Sequence, residues 1–405
     1  MLVKYLLPAL VAAGSAAAQS ATCTASAGTA KITNQADAGK FSGCRVIKGN
    51  VVIDSDAAGT IELSGPREIT GDLTVKNASH LETLRSSSIE TIGGRFTLER
   101  LERILTVDFN SLESARAIDF RSVPILRNVE FGPLTEADEV TISDTSIETL
   151  DTIQLSTVKK MDLNNNRNIR VFSSNLGSLS DNLNIQANGI GLDVSLPKLT
   201  WIANMTIANV TKFSVPSLKV VNGSARFDSN YFESFTAPNL THTESGDISF
   251  VGNGKLTNLT FPRLTAIGGG LLVANNTELE DLVAFKHLET VGGAIKLRGS
   301  FEEIDFSSLD NVRGAFDISS TTDIRSACEK LSELAPGSQG GNGKVEGTFS
   351  CTSENERANE DTGGDVSGDG QIDGQDGDDD SGAAGVALNS ALFGLVAVAA
   401  LAMAL

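Results

Sequence analysis

Three histidines, four cysteines, many carboxylates and a regular series of asparagines are the residues of this 405-residue chain that could do chemistry. His80, His242 and His287 occupy unrelated positions of the sequence pattern, with no nucleophile recurring beside any of them. A Ser-His-Asp arrangement needs three groups to converge, so the histidines offer no acyl-transfer centre. Glycoside cleavage needs two carboxylates roughly 5–10 Å apart. Asp119 and Asp162 fall two repeats apart, about 9–10 Å at strand spacing, with Thr141 at the equivalent position between them. That distance permits catalysis. The sequence shows no arginine or histidine column beside the pair, however, and aspartate on a solvated sheet face is ordinary. No catalytic residue is assigned, and no cofactor or metal is expected.

The cysteines and asparagines are more informative. Cys23 and Cys44 lie near the start, Cys328 and Cys351 towards the end, and none lies between. Their spacing is too wide for a C-x-x-C redox or zinc site. Four cysteines allow three pairings; an elongated fold that keeps its ends apart favours Cys23–Cys44 and Cys328–Cys351. N-x-S/T acceptors occur at Asn77, Asn204, Asn209, Asn222, Asn239, Asn258 and Asn275. In a secreted chain such asparagines carry glycans and must reach solvent.

These residues hang on a repeat, seen most clearly in residues 246–276, GDISFVGNGKLTNLTFPRLTAIGGGLLVANN. Apolar residues two apart mark a half-buried strand, and Gly, Asn and Pro between the alternations supply corners. The first apolar strand position recurs at Val51, Leu73, Phe96, Ile118, Val140, Met161, Leu183, Met205, Ala225, Ile248, Leu271, Ile295 and Phe316, at spacings of 20 to 24 residues. Such a period means a solenoid whose coils bury their apolar sides against one another. The expected fold is all-β, a right-handed parallel β-solenoid of about 13 coils of ~22 residues with disulfide-capped ends. A leucine-rich-repeat horseshoe is the rival, since residues 248–256 approach L-x-L-x-x-N-x-x-L.

Columns follow from stacking. The residue between the two apolar strand positions faces out and is polar at Thr74, Thr97, Thr141, Thr206 and Ser249, among others. Beyond the strand lie two asparagine columns. The nearer holds Asn77, Asn165, Asn209 and Asn275; the farther holds Asn166, Asn188, Asn230, Asn253 and Asn276. Three of the nearer set are glycosylation acceptors and none of the farther set is, so the nearer column should point out and the farther one in. Phenylalanines, including Phe109, Phe131, Phe261, Phe285 and Phe306, should stack as a core ladder. Trp201 and Tyr231 are read as local packing rather than sugar platforms.

The termini carry addresses rather than folds. Residues 1–18 have one lysine, an apolar core and a small-residue cleavage site, the pattern of a secretory signal peptide; the ectodomain then spans residues 19–353. Residues 354–382 are acidic and glycine-rich, a composition that reads as a disordered stalk. Asp365, Ser367, Asp369, Gly370, Ile372, Asp373 and Asp376 approach a calcium-loop spacing, but the twelfth position is Asp and helix-forming flanks are absent, so a solvated linker is the reading. Small residues, a spacer and the charge-free residues 391–405 form a glycosylphosphatidylinositol (GPI) signal, with Ser381 or Gly382 as attachment residue and residues 383–405 as propeptide. The net charge of −19 speaks against a nucleic-acid partner.

The repeat form G-x-Φ-x-Φ-x-x-N…L-x-Φ-P-x-L-x-x-I-G-G, sharpest at F-P-R-L-T-A-I-G-G in residues 261–269, together with the signal, sequons, stalk and tail, resembles the fungal cell-wall organisation family. Those are GPI-anchored surface glycoproteins with repeats similar to receptor L-domains. The repeat is degenerate around residues 115–119 and 223–227, where local irregularity is expected. The resemblance implies a role in wall integrity without an assigned catalytic activity, a membrane partner through the GPI lipid, and wall polysaccharide or wall proteins as neighbours. Two other classes stay open: a recognition module binding glycan or protein along one face, and a polysaccharide-active enzyme.

Overall fold

The computed structural model describes residues 22–360. The signal-peptide and lipid-anchor readings, including Ser381 and Gly382, lie outside the described residues, as does the calcium-loop-like stretch.

The chain is a parallel β-solenoid of about 14 turns. One long sheet of 21 strands runs the length of the stack, while the opposite face breaks into sheets of four, three, two and two strands. Each first apolar position of the repeat is paired directly with the next. Val51 faces Leu73, Leu73 faces Phe96 and Phe96 faces Ile118; the ladder continues in the same register to Ile295 opposite Phe316. A further rung stands at each end. Ala30 in the strand Thr22–Ile32 pairs with Val51, and Phe349 in Phe349–Thr352 pairs with Phe316.

Among the described residues the only α-helices are Gln35–Gly39 and Arg325–Ser332, one near each end. This excludes the horseshoe, whose repeats carry a helix or 3₁₀ turn on the convex side. The register shifts between Ile92 and Arg95, opposite Ala115 and Ala117, where the repeat is degenerate. The second degenerate stretch stays regular: Ala225 and Phe227 keep their places between Met205 and Ile248, and between Ile207 and Phe250.

Two sequence readings need physical correction. The glycines that precede several coils do not serve mainly to reach left-handed backbone angles. Gly246 and Gly269 are absent from the positive-φ residues. A Cβ on Gly246 would lie 2.1 Å from the Gly223 carbonyl carbon, and one on Gly269 would lie 2.7 Å from that of Gly246. Successive coils approach backbone to backbone here, and only glycine leaves room. Secondly, the phenylalanine ladder falls into two groups among the described residues. One joins Phe96, Phe109, Phe120 and Phe131; the other runs from Phe213 through Phe250, Phe261 and Phe285 to Phe349. Aliphatic residues such as Leu163, Leu183 and Ile185 fill the interval.

Both ends are closed. Disulfides join Cys23 to Cys44 and Cys328 to Cys351, with Cα separations of 5.7 and 5.6 Å. Two glutamines cap strand edges by standing in for another strand. Gln35 donates to the Glu62 carbonyl (3.1 Å) and accepts from its N–H (2.7 Å), closing the edge strand Ala58–Glu62. Gln339 treats Phe349 in the last rung the same way, at 3.2 and 2.9 Å. Open edges template unwanted pairing, and each carboxamide satisfies one donor and one acceptor there.

Residues 354–360 belong to the folded unit, although their composition reads as stalk. Ala358 is buried, and Asn355 and Asn359 bond to the preceding coils.

Candidate functional site

The recurring polar feature is the corner after each long-sheet strand. The first corner residue is left-handed on coil after coil: Asn77, Arg100, Ser122, Asp144, Asn165, Ala187, Asn209, Ser229 and Asn275 all have φ between 52° and 61°, with Gly252 at 66° in the same column. Asn, Asp and Gly are the residues that adopt this region at least cost. The nearer asparagine column is therefore the one that turns the chain.

The next residue turns inward. Asn166, Asn188, Asn230, Asn253 and Asn276 are buried, as the absence of sequons among them implied. Their amides form two runs. Asn253 accepts from the backbone N–H and Nδ2 of Asn230 (2.9 and 3.0 Å), donates Nδ2 to Asn276 Oδ1 (2.9 Å) and donates to the Phe227 carbonyl (2.9 Å). Asn166 and Asn188 repeat the geometry, with Thr145 donating its hydroxyl to Asn166 Oδ1 at 2.7 Å. Val210 separates the runs, its backbone N–H donating to Asn230 Oδ1. A side chain with both donor and acceptor is required, because each coil must receive from one neighbour and give to the other.

None of the seven sequon asparagines is buried. Asn77, Asn209 and Asn275 stand at left-handed corners. Asn204 accepts from the Ser224 N–H at 3.0 Å, and Asn239 links the Pro216 carbonyl to Arg263. Asn222 and Asn258 lie on the surface of neighbouring coils.

The outer face of the long sheet holds the carboxylates considered for catalysis. Asp119, Thr141 and Asp162 occupy consecutive rungs, as their spacing indicated. Their surroundings are unsuited to glycoside cleavage. Asp119 is held by Arg121 Nε at 2.6 Å and Arg95 at 3.5 Å, and Arg95 reaches on to Glu139 at 2.8 Å. The arginines that sequence spacing failed to show come from the edge of the preceding coil and from two residues along the same strand. Hydrogen bonding to Glu139 raises Arg95 above its ordinary pKa, and Lys76 holds Glu99 below the usual carboxylate value. Asp162 accepts from the amides of Asn164 (2.7 Å) and Asn184 (2.9 Å). No proton donor is poised opposite a free base.

Beside this network a shallow polar depression is lined by Asp72, Thr74, Lys76, Arg95, Thr97 and Arg116. The histidines do not converge. His80 lies in a second-face strand, His242 in the long sheet against the Thr241 hydroxyl (2.9 Å), and His287 in an exposed turn. No group of His, Cys, Asp and Glu able to hold a metal occurs among the described residues. Trp201 begins a long-sheet strand and Tyr231 is partly exposed at a corner, so the two aromatics do not form a joint platform.

Fold and surface together define a disulfide-capped β-solenoid with a buried amide ladder and an outward column of left-handed corner residues, three of them sequon asparagines. Residues 1–42 match the Ecm33 family model, described as a GPI-anchored cell wall organization protein. Protein ecm33 of Aspergillus fumigatus is 33% identical over 352 residues, covering 86% of this chain and 85% of that protein. A cell surface GPI-anchored protein of Arthroderma benhamiae is 32% identical over 322 residues, 79% of this chain and 81% of its own. Sporulation-specific protein 2 of Saccharomyces cerevisiae is 34% identical over 315 residues, 76% of this chain and 61% of that protein. The chain belongs to this fungal family of GPI-anchored cell wall organisation proteins. No solved structure matches it.

Proposed function

We propose that the protein is a non-catalytic surface glycoprotein that organises the fungal cell wall from the outer face of the plasma membrane or from the wall itself. The observation that carries this reading is the unbroken stack of paired rungs, whose outer face offers threonines, amides and mutually paired charges rather than a reactive centre. Such a body acts by spacing and presenting surface. Family membership supports the wall as its setting. In this reading residues 1–18 direct secretion, the seven sequon asparagines carry glycans, and Ser381 or Gly382 receives the lipid after residues 383–405 are removed.

The test is phospholipase release of the protein from intact cells, followed by incubation with isolated wall polysaccharides. Release without polysaccharide shortening is expected; shortening by the purified protein overturns the non-catalytic reading. Deleting residues 391–405 should convert the surface-attached form into a secreted one, and unchanged cell association of the truncated form would refute the anchor.

A second reading is favoured by one observation, the depression lined by Asp72, Arg95 and Arg116. Its alternating charges and hydroxyls suit hydrogen bonding to hydroxyl-rich glycans, so retention of the released protein on wall glucan, lost in Arg95→Ala, would make recognition the primary role.

A further inference from the structure

In the middle of the long sheet, polar side chains of the outer face satisfy one another. Ser143 donates to Asn164 Oδ1 at 2.6 Å, and the Asn164 and Asn184 amides both donate to Asp162, at 2.7 and 2.9 Å. The depression lined by Asp72, Thr74, Arg95, Thr97 and Arg116 differs. Thr74, Thr97 and Arg116 make no side-chain hydrogen bond or ion pair among the described residues. Asp72 accepts from the Arg95 N–H through Oδ1 at 2.8 Å, and its Oδ2 has no partner among them.

An irregularity of the repeat opens this place. Between the pairs Ile92–Ala115 and Arg95–Ala117, the earlier coil has Gly93 and Gly94 where the later one has Arg116 alone. Neither glycine carries a side chain, and Arg116 stays exposed. Ala117 then follows in one column between Arg95 and Glu139. It is buried and small, and Arg95 crosses its rung to reach Glu139 at 2.8 Å. Arg95 is thereby neutralised by Glu139 and Asp119, as Lys76 is by Glu99 at 2.7 Å. Both cations serve as walls. One carboxylate oxygen, two hydroxyls and one guanidinium remain unengaged. Thr74 and Thr97 are directly paired, so they stand one rung, about 4.8 Å, apart, and the three rungs span about 10 Å.

These groups select a ligand chemistry. A carboxylate accepts, a guanidinium donates as a planar fork to two neighbouring oxygens, and a threonine hydroxyl does either. A phosphate or uronate drawn to Arg116 would also face Asp72, so the depression lacks the uncompensated positive charge that favours an anion. No aromatic ring lines it, so a sugar would be held by its hydroxyl edge and not by its face. Adjacent hydroxyls on a sugar ring present donors and acceptors along one such edge.

We propose that the depression is a subsite for a neutral sugar residue bearing vicinal hydroxyls. Arg116 forks onto the diol, Thr74 and Thr97 meet the ring edge, and Asp72 Oδ2 accepts from a further hydroxyl. The subsite presupposes the recognition role and specifies its ligand class.

The experiment applies the phospholipase-released full chain to isolated wall polysaccharide, untreated or oxidised with periodate and reduced with borohydride. Periodate cleaves the bond between carbons that carry adjacent free hydroxyls, so the second preparation has lost its diols. Retention on the untreated polymer, weakened about tenfold or more by oxidation, is expected. On the untreated polymer Arg116→Ala should weaken retention about tenfold and Thr97→Val several-fold, with unchanged unfolding midpoints. Arg116→Lys should stay impaired, because an ammonium cannot supply the planar fork. Full rescue by lysine overturns the diol assignment. Native retention that survives oxidation, or native-like retention of Arg116→Ala and Thr97→Val, overturns the subsite and leaves recognition to another face. If the native protein is not retained at all, recognition and subsite fall together.

Discussion

Replacing Asn253 with alanine tests the buried ladder at its centre. Asn253 is 0% exposed and serves both neighbouring coils. Without its carboxamide the backbone N–H of Asn230 loses its acceptor and the Phe227 carbonyl loses its side-chain donor. Asn276 Oδ1 still receives the backbone N–H of residue 253, and Asn230 Nδ2 still reaches the Ile207 carbonyl. One buried donor is thus orphaned and one strand carbonyl keeps only its ladder bond, a loss of about 1–3 kcal/mol. The proper comparison is Thr277→Ala, which abolishes the sequon at Asn275 through an exposed residue. Asn275→Gln is a poorer control, because Asn275 has φ 52° and a longer side chain in that region adds roughly 1–2 kcal/mol of its own. Urea unfolding of the purified proteins gives the stabilities, and hydrogen exchange at the amide of Asn230 locates the damage. Thr277→Ala should change stability by less than about 0.5 kcal/mol. Equal losses in the two variants, or full protection of the Asn230 amide in Asn253→Ala, would refute the ladder as a stabilising device.

Three other outcomes are expected. Ala187 sits in the left-handed corner column at φ 52°, so Ala187→Gly should stabilise by about 0.5–1 kcal/mol and Ala187→Val destabilise by more than about 1 kcal/mol, read from unfolding midpoints. Asp228 is half-buried and desolvation raises its pKa, with Arg226 opposing. A carboxyl whose folded pKa is raised binds its proton more tightly when folded, so stability falls as pH rises from the unfolded value through the folded one. Asp228→Asn should therefore stabilise at neutral pH, and its advantage should vanish in acid; a gap that persists in acid contradicts the assignment. Gln339→Ala leaves the N–H and carbonyl of Phe349 unpaired at the sheet edge, and should cost about 1–2 kcal/mol and produce concentration-dependent self-association in sedimentation.

The register of the long sheet was legible because the apolar alternation has period two and the repeat stacks like on like, so each coil restates the same constraint. Thirteen positions read from the sequence pair in order, Phe96 meeting Ile118 even after the register shift between Ile92 and Arg95. Pairing of the cysteines followed from the same geometry, since an elongated stack keeps its ends apart. What escaped notice depends on proximity across coils rather than pattern within one. Arg95 and Arg121 around Asp119 belong to side chains that reach along and across strands, and no column in the sequence announces them. Gln35 and Gln339 act once each, at opposite ends, so no repetition marks them. The ordering of residues 354–360 was hidden by a composition that predicts solvation, whereas Asn355, Ala358 and Asn359 find specific seats on the last coils.

The two asparagine columns show why one residue type serves opposite ends of the fold. At the first corner position the backbone is left-handed, and Asn tolerates that region better than most residues while leaving its amide at the surface. With Ser or Thr two residues on, that same amide becomes a glycan acceptor without a change to the corner. At the second position the backbone makes no such demand; the side chain must accept from one coil and donate to the next out of contact with water. Aspartate there would bring a charge and no donor, and alanine would leave the preceding coil's backbone N–H unpaired. Val210 shows the tolerable alternative, with only its backbone N–H reaching Asn230. The outer position is therefore constrained by backbone angle, and the inner position by hydrogen-bond count. The separation is testable on two successive coils: exchanging Ala208-Asn209-Val210 for Ala-Gly-Val should preserve the stack and remove one sequon, whereas placing Asp at 230 should destabilise it by several kcal/mol, because an unpaired buried charge is among the costliest substitutions.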